Sequence, residues 1–188
     1  GLEVSTVHAD FTQSFALPNF DGGRQFVFYP GSTIGNFGPV EVSRFLSRVR
    51  EMVGEEGGML IGVDLKKSAA ILHSAYNDSK GVTAAFNKNL LIRMQNRLAA
   101  EVDVDAFEHY AFFNPCEGRI EMHLVASKPT RIVVENHVFE FVSGDSILTE
   151  FSYKYSKPQF ESVAKSCGFS VENYWTDEIE YFGVWLLT

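Results

Sequence analysis

Gln25-Phe-Val-Phe-Tyr29, Gly31-Ser-Thr-Ile-Gly-Asn-Phe-Gly38 and Gly58-Met-Leu-Ile-Gly-Val-Asp64 decide how this chain is read. The first and third are short apolar runs with little polar alternation, as in strands buried on both faces by helices. The second is a glycine-rich loop. Pro39 follows it and suits the first turn of a helix, where a missing N–H costs nothing. Val42, Phe45, Leu46, Val49, Met52 and Val53 then recur at helical spacing, and Gly54 is placed to end the helix. Strand, glycine-rich turn, amphipathic helix and strand make a βαβ unit of a parallel sheet. Upstream, Leu2, Val4, Val7 and Ala9 predict one more strand, leading into a loop at Asp10-Phe11.

Beyond this unit the pattern changes. Ser68 to Tyr76 and Gly81 to Leu98 read as helices separated by Asn77-Asp78. After Phe107 the period is that of strands. Ile120, Met122 and Leu124 alternate with Glu121 and His123, and Arg131–Glu135 and Val138–Val142 flank a hairpin turn expected at Asn136-His137. Ile147 to Tyr155 is a further strand. From Ser156 the first style returns: Ser156 and Gln159 form a capping box with Pro158 in the first turn. Phe160, Val163, Ala164 and Cys167 mark one helical face, and Phe169–Thr176 and Tyr181–Leu187 close as a strand pair. The expected fold class is α/β, with residues 1–67 as a partial parallel-sheet core, 68–155 as an inserted antiparallel α+β domain, and 156–188 as the return to the core.

The composition narrows the function. The chain has 188 residues, 45% hydrophobic and 21% charged, enough to bury a core. A net charge of −8 disfavours sequence-independent nucleic-acid binding, which needs a basic surface. No apolar run reaches the roughly 20 residues that span a bilayer, and the first residues lack the pattern of a secretory signal. The two cysteines, Cys116 and Cys167, follow no metal or disulfide spacing, which fits a reducing cytoplasm. The five histidines show no HxxxH or HExxH spacing.

In an open parallel sheet, ligands sit beyond the carboxyl ends of the strands. That directs attention to Asp10-Phe11, to Gly31–Asn36 and to Asp64. Asp10 can accept from a base amine, Phe11 can pack on a ring, Gly31 permits close backbone approach, and Asn36 offers donor and acceptor. The same residues also fit plain cap and turn roles. In Thr149-Glu-Phe-Ser-Tyr-Lys154, alternation puts Glu150, Ser152 and Lys154 on one face and Phe151, Tyr153 and the following Tyr155 on the other. The expected arrangement is a half-buried strand with its polar face in solvent. The functional alternative is a carboxylate and hydroxyl gripping a nitrogen heterocycle.

Six strings carry a resemblance to a known family: Gly31-Ser-Thr-Ile-Gly-Asn-Phe37, Gly57-Gly-Met-Leu-Ile-Gly-Val-Asp-Leu65, Ala75-Tyr-Asn-Asp-Ser-Lys-Gly-Val-Thr-Ala-Ala-Phe-Asn87, Asn114-Pro115, Gly118-Arg-Ile-Glu-Met-His-Leu124 and Thr149-Glu-Phe-Ser-Tyr-Lys-Tyr155.

 These strings run in order over nearly the whole chain. They resemble the histidine-specific, S-adenosylmethionine-dependent methyltransferases of ergothioneine biosynthesis, and Ala9-Asp-Phe-Thr12 fits that family's adenine-side loop.

The resemblance implies the C-terminal part of a Rossmann-like methyltransferase sheet carrying an inserted substrate-binding domain. An N-terminal part of the same enzyme, with the first glycine-rich loop and the ribose-holding acid, would be a missing partner. This chain alone would then be inactive and prone to self-association. The resemblance also implies roles. Asp10 and Phe11 would hold the adenine of S-adenosyl-L-methionine. Gly31 and Asn36 would hold the α-amine of L-histidine, and Asn36 with Tyr76 its carboxylate. Met122 would line the pocket, and Glu150 and Ser152 would bond the two ring nitrogens. The implied reaction is N-methylation of histidine to hercynine. The alternatives are a methyltransferase for another amine such as tryptophan, and a non-catalytic binding module.

Overall fold

The computed structural model describes residues 4–18 and 22–188. In chain order the elements are β1 (Phe26–Tyr29), α1 (Pro39–Val53), β2 (Gly58–Asp64), α2 (Ala69–Tyr76), α3 (Val82–Leu98), β3 (Glu101–Val102), β4 (Phe107–Asn114), β5 (Arg119–Ala126), β6 (Thr130–Val134), β7 (His137–Phe141), β8 (Ser146–Tyr153), α4 (Lys157–Ser166), β9 (Val171–Thr176) and β10 (Phe182–Leu187). Short 3₁₀ turns occupy Thr33–Asn36 and Val104–Ala106. The mixed α/β chain divides into two compact units, one made of the chain up to Leu65 with Tyr155–Thr188, the other of Lys66–Lys154.

The first unit holds a four-stranded sheet in the order β1-β2-β10-β9. β1 and β2 are parallel, joined through α1, and β10 runs antiparallel to both β2 and β9. α1 forms where its apolar residues repeat: Val42, Phe45, Leu46, Val49 and Val53 are buried on one side. Its start is secured by Pro39 in the first turn and by Gly38 N–H donating to Glu41 Oε2 at 2.7 Å. α4 begins with the reciprocal bonds of Ser156 and Gln159, 3.4 and 3.1 Å. It buries Phe160, whose ring lies 4.8 Å from that of Trp185 on β10. Met59, Ile61, Val63, Trp185 and Leu187 complete this core.

The second unit contains two antiparallel sheets, β4-β5-β8 and β3-β6-β7. Leu91 of α3 packs with Phe107, Leu124 and Ile132. Leu72 and Tyr76 of α2 pack with Ala111, Phe113, Ile120 and Met122. Asp78 secures the start of α3: its carboxylate accepts from Val82 N–H at 2.9 Å and Thr83 N–H at 2.8 Å.

Two expectations are corrected. Residues 4–9 form no strand, and Val4 is 81% exposed; Leu2 lies outside the described residues. A strand needs a neighbour for its N–H and C=O groups, and β1, at the sheet edge, pairs only with β2 among the described residues. The β6–β7 turn is Glu135-Asn136, not Asn136-His137, because Val134 pairs with His137. Glu135 takes the left-handed conformation, φ 51°, that so tight a turn requires.

Candidate functional site

The second unit carries the more telling group of side chains. On β8, Glu150 and Ser152 stand opposite Met122 and Ile120 of β5. Those two stand opposite Ala111 and Phe113 of β4. Cross-strand partners share a face, so the pair looks toward the side that Leu72 and Tyr76 of α2 cover. Lys154 follows two residues later. Ser152 is 6% exposed and Lys154 3%. The expected solvated polar face is therefore corrected: Ser152 and Lys154 are buried and Glu150 is half-buried. Phe151 and Tyr153 on the other face are also half-buried, and Arg119 caps them. The Arg119 guanidinium lies 4.9 Å from the Phe151 ring centroid and donates to Tyr153 Oη at 2.8 Å.

Lys154 Nζ donates to Ser152 Oγ and to Tyr76 Oη, both at 2.9 Å. Glu150 is half-buried, and among the described residues nothing donates a hydrogen bond to its carboxylate. Burial pushes its pKa above the ordinary carboxylate value, and the nearby Lys154 charge opposes that. Such a carboxylate is a strong acceptor held ready for an N–H. Met122, 3% exposed, lies directly across the ladder from it.

Tyr76 owes its position to polar clips between α2 and β4. Asn77 Nδ2 donates to Ala111 O at 2.9 Å, and Ala111 N–H donates to Asn77 Oδ1 at 3.2 Å. His109 Nε2 meets Tyr76 O at 2.8 Å, and Phe113 N–H donates to His73 Nε2 at 2.9 Å. Asn87, fully buried, donates to His109 Nδ1 at 3.0 Å. That bond makes Nδ1 the acceptor and leaves Nε2–H to donate to the Tyr76 carbonyl.

In the first unit the other candidates lie around the end of β1. Gly31 has φ 81°, which favours glycine, and Ser32 also turns left-handed, φ 59°. Ser32 Oγ accepts from Asp64 N–H at 2.8 Å, tying the loop to the end of β2. Ile34 anchors the 3₁₀ turn in the core, while Gly31 and Asn36 stay exposed. Asp10 Oδ1 accepts from Thr12 N–H at 2.9 Å and Thr12 Oγ1 at 2.7 Å, and these bonds hold its pKa below the ordinary value. The Phe11 ring leans on Tyr29, Phe37 and Phe45 at 6.0, 6.3 and 6.4 Å. An ionised acceptor beside a half-exposed ring suits the edge and face of an adenine. Asp10 thus has the cap role that spacing allowed, with Oδ2 left outside it.

Tyr76, Met122, Glu150 and Ser152 are brought together in the second unit; Asp10, Phe11, Gly31 and Asn36 belong to the first. Sequence reasoning placed Lys154 on the right face but assigned it no role, although its spacing from Ser152 was the available signal. Asn77, Asn87 and His109 carried no signal, because their bonds join segments distant in sequence.

A family model described as histidine-specific methyltransferase, SAM-dependent, matches residues 1–188. The histidine N-alpha-methyltransferase of Mycolicibacterium smegmatis is 36% identical over 187 residues, covering 98% of this chain and 58% of its own length. That of Mycobacterium tuberculosis is 38% identical over 187 residues, with the same 98% and 58% coverage. Ergothioneine biosynthesis protein 1 of Neurospora crassa is 28% identical over 192 residues, covering 88% of this chain and 20% of its own length. The chain thus spans little more than half the length of the first two relatives.

Proposed function

Because the chain belongs to the histidine-specific, S-adenosylmethionine-dependent methyltransferase family, we propose that it forms the C-terminal portion of an enzyme that methylates the α-amino nitrogen of L-histidine to give hercynine. The observation that carries this reading is the polar row of half-buried Glu150 and buried Ser152 and Lys154 on one face of β8. A half-buried carboxylate to which no described residue donates favours a donor from a ligand, and an imidazole N–H supplies it. Ser152 meets the other ring nitrogen, and Met122 packs beside the ring. The unit Lys66–Lys154 is the substrate-selecting part in this reading.

S-adenosylmethionine, when bound, supplies an electrophilic methyl group on a sulfonium. Asp10 and Phe11 hold its adenine. The chain's own task is placement: Gly31 and Asn36 hold the substrate nitrogen, which must shed its proton to present a lone pair, and Tyr76 helps hold the carboxylate. Alignment of nitrogen, methyl carbon and sulfur accounts for most of the rate gain in such transfers. A ring without the two nitrogens leaves Glu150 unsatisfied, which gives selectivity.

The test is Glu150→Ala in the complete protein, titrated calorimetrically with L-histidine in the presence of S-adenosylhomocysteine. A charge-assisted hydrogen bond is worth about 1.5–3 kcal/mol, so histidine affinity should fall about tenfold to a hundredfold. Binding of S-adenosylhomocysteine should hardly change. Histidine dissociation constants that agree within about twofold, roughly 0.4 kcal/mol, would remove Glu150 as a ring ligand.

A further inference from the structure

Residues 4–18 form no helix or strand, and most of them are exposed. Among the described residues, one hydrogen bond ties this stretch to the rest of its unit: Arg48 of α1 donates from Nη1 to the Thr12 carbonyl. The other bonds are internal to the stretch. Gln13 N–H donates to Asp10 O at 2.9 Å, and Asp10 Oδ1 accepts from Thr12 N–H and Thr12 Oγ1. The second attachment is the Phe11 ring, set against Tyr29, Phe37 and Phe45. Phe45 and Arg48 are three residues apart on α1 and so are neighbours on its surface. Together they grip Phe11 and Thr12, the two residues that follow Asp10.

A segment with so few ties belongs to the low end of local stability. The two ties differ in kind. Apolar contact is non-directional, so the Phe11 ring alone leaves the turn free to pivot about it. A hydrogen bond is directional, and one to the Thr12 carbonyl fixes a second point on the turn. Asp10 Oδ1 is occupied inside the turn, so Oδ2 is the oxygen left for a ligand, and its direction is that of the turn as a body. The bonds from Thr12 keep the Asp10 carboxylate ionised, and the Arg48 charge acts in the same sense.

We propose that Arg48 is a positioning residue for the adenine end of the site: by holding the Thr12 carbonyl it aims Asp10 Oδ2 at the 6-amino group of the adenine. This rests on the adenine roles proposed above for Asp10 and Phe11 and deepens them. Arg48 acts through the turn and not on the cofactor itself.

The experiment measures, by calorimetry on the complete protein, the affinity for S-adenosylhomocysteine and for its analogue with hydrogen in place of the adenine 6-amino group. An amine that donates to a carboxylate makes a charge-assisted bond, so the wild type should prefer the amine about tenfold to a hundredfold. Arg48→Met keeps an unbranched apolar stem on α1 and removes the donor and the charge. The preference should shrink at least about fivefold, with the loss falling on S-adenosylhomocysteine. A merely structural role for Arg48 would weaken both ligands alike and leave their ratio unchanged. A smaller shrinkage of the ratio overturns this inference alone. A wild-type preference below about threefold removes Asp10 as the adenine acceptor and this inference with it, as does a wild type that binds neither ligand. Should Arg48→Met fail to fold, Arg48→Ala, which has the highest helix propensity, decides by the same threshold.

Discussion

Replacing Asn77 by Ala should loosen α2 from β4 by an amount that can be worked from the bonds it makes. Its amide donates to Ala111 O at 2.9 Å and to His73 O at 2.9 Å, and accepts from Ala111 N–H at 3.2 Å. The two bonds to Ala111 join helix to strand. Neutral hydrogen bonds contribute about 0.5–1.5 kcal/mol each, so losing the pair should cost about 1–3 kcal/mol. The bonds from Phe113 N–H to His73 and between His109 and Tyr76 remain, so the helix should stay docked. Urea unfolding of this chain, followed by far-UV circular dichroism, measures the loss as a lower midpoint with an unchanged slope. Asn77→Asp keeps the acceptor but removes the donor and sets a charge near the Ala111 carbonyl, and should be at least as damaging. A loss under about 0.5 kcal/mol for Asn77→Ala, the range of an ordinary surface substitution, would refute the clip and leave docking to Leu72 and Tyr76.

Burial raises the pKa of Glu150, so ionising it costs the folded state and ligand-free stability should fall as pH rises from the ordinary carboxylate value through the raised one; Glu150→Gln should flatten that fall in urea midpoints. The N–H groups of Thr83 and Val82 hold Asp78 down to about 2, so its contribution is complete above about 3.9 and is lost as pH falls through about 2. An NMR titration midpoint near the ordinary value would contradict this. Phe28, 70% exposed on the edge strand β1, should promote self-association of this chain. Phe28→Lys should lower the mass seen by light scattering, and an equal mass would clear this edge.

Much of the fold was legible because it is written in local periods. The apolar residues of α1 and α4 recur at helical spacing, and their caps are neighbours in sequence, so Pro39, Ser156 and Gln159 could be read directly. The strand foreseen before Asp10 was misread because an apolar stretch shows a period but not whether a partner strand takes its backbone groups. The candidate residues were named through resemblance, whereas the clips at Asn77, Asn87 and His109 join positions 22 to 34 residues apart and leave no local pattern.

The clearest division runs through β8. Alternation by itself determined that Glu150, Ser152 and Lys154 share one face and Phe151 and Tyr153 the other. It did not determine which face is covered, because a strand's two faces are equivalent until something packs on one. Tertiary structure decided that. Tyr76 of α2 brings a hydroxyl to Lys154, so the polar face can be buried with hydrogen bonds made, and Arg119 lies over the rings of the aromatic face, which can then stay near solvent.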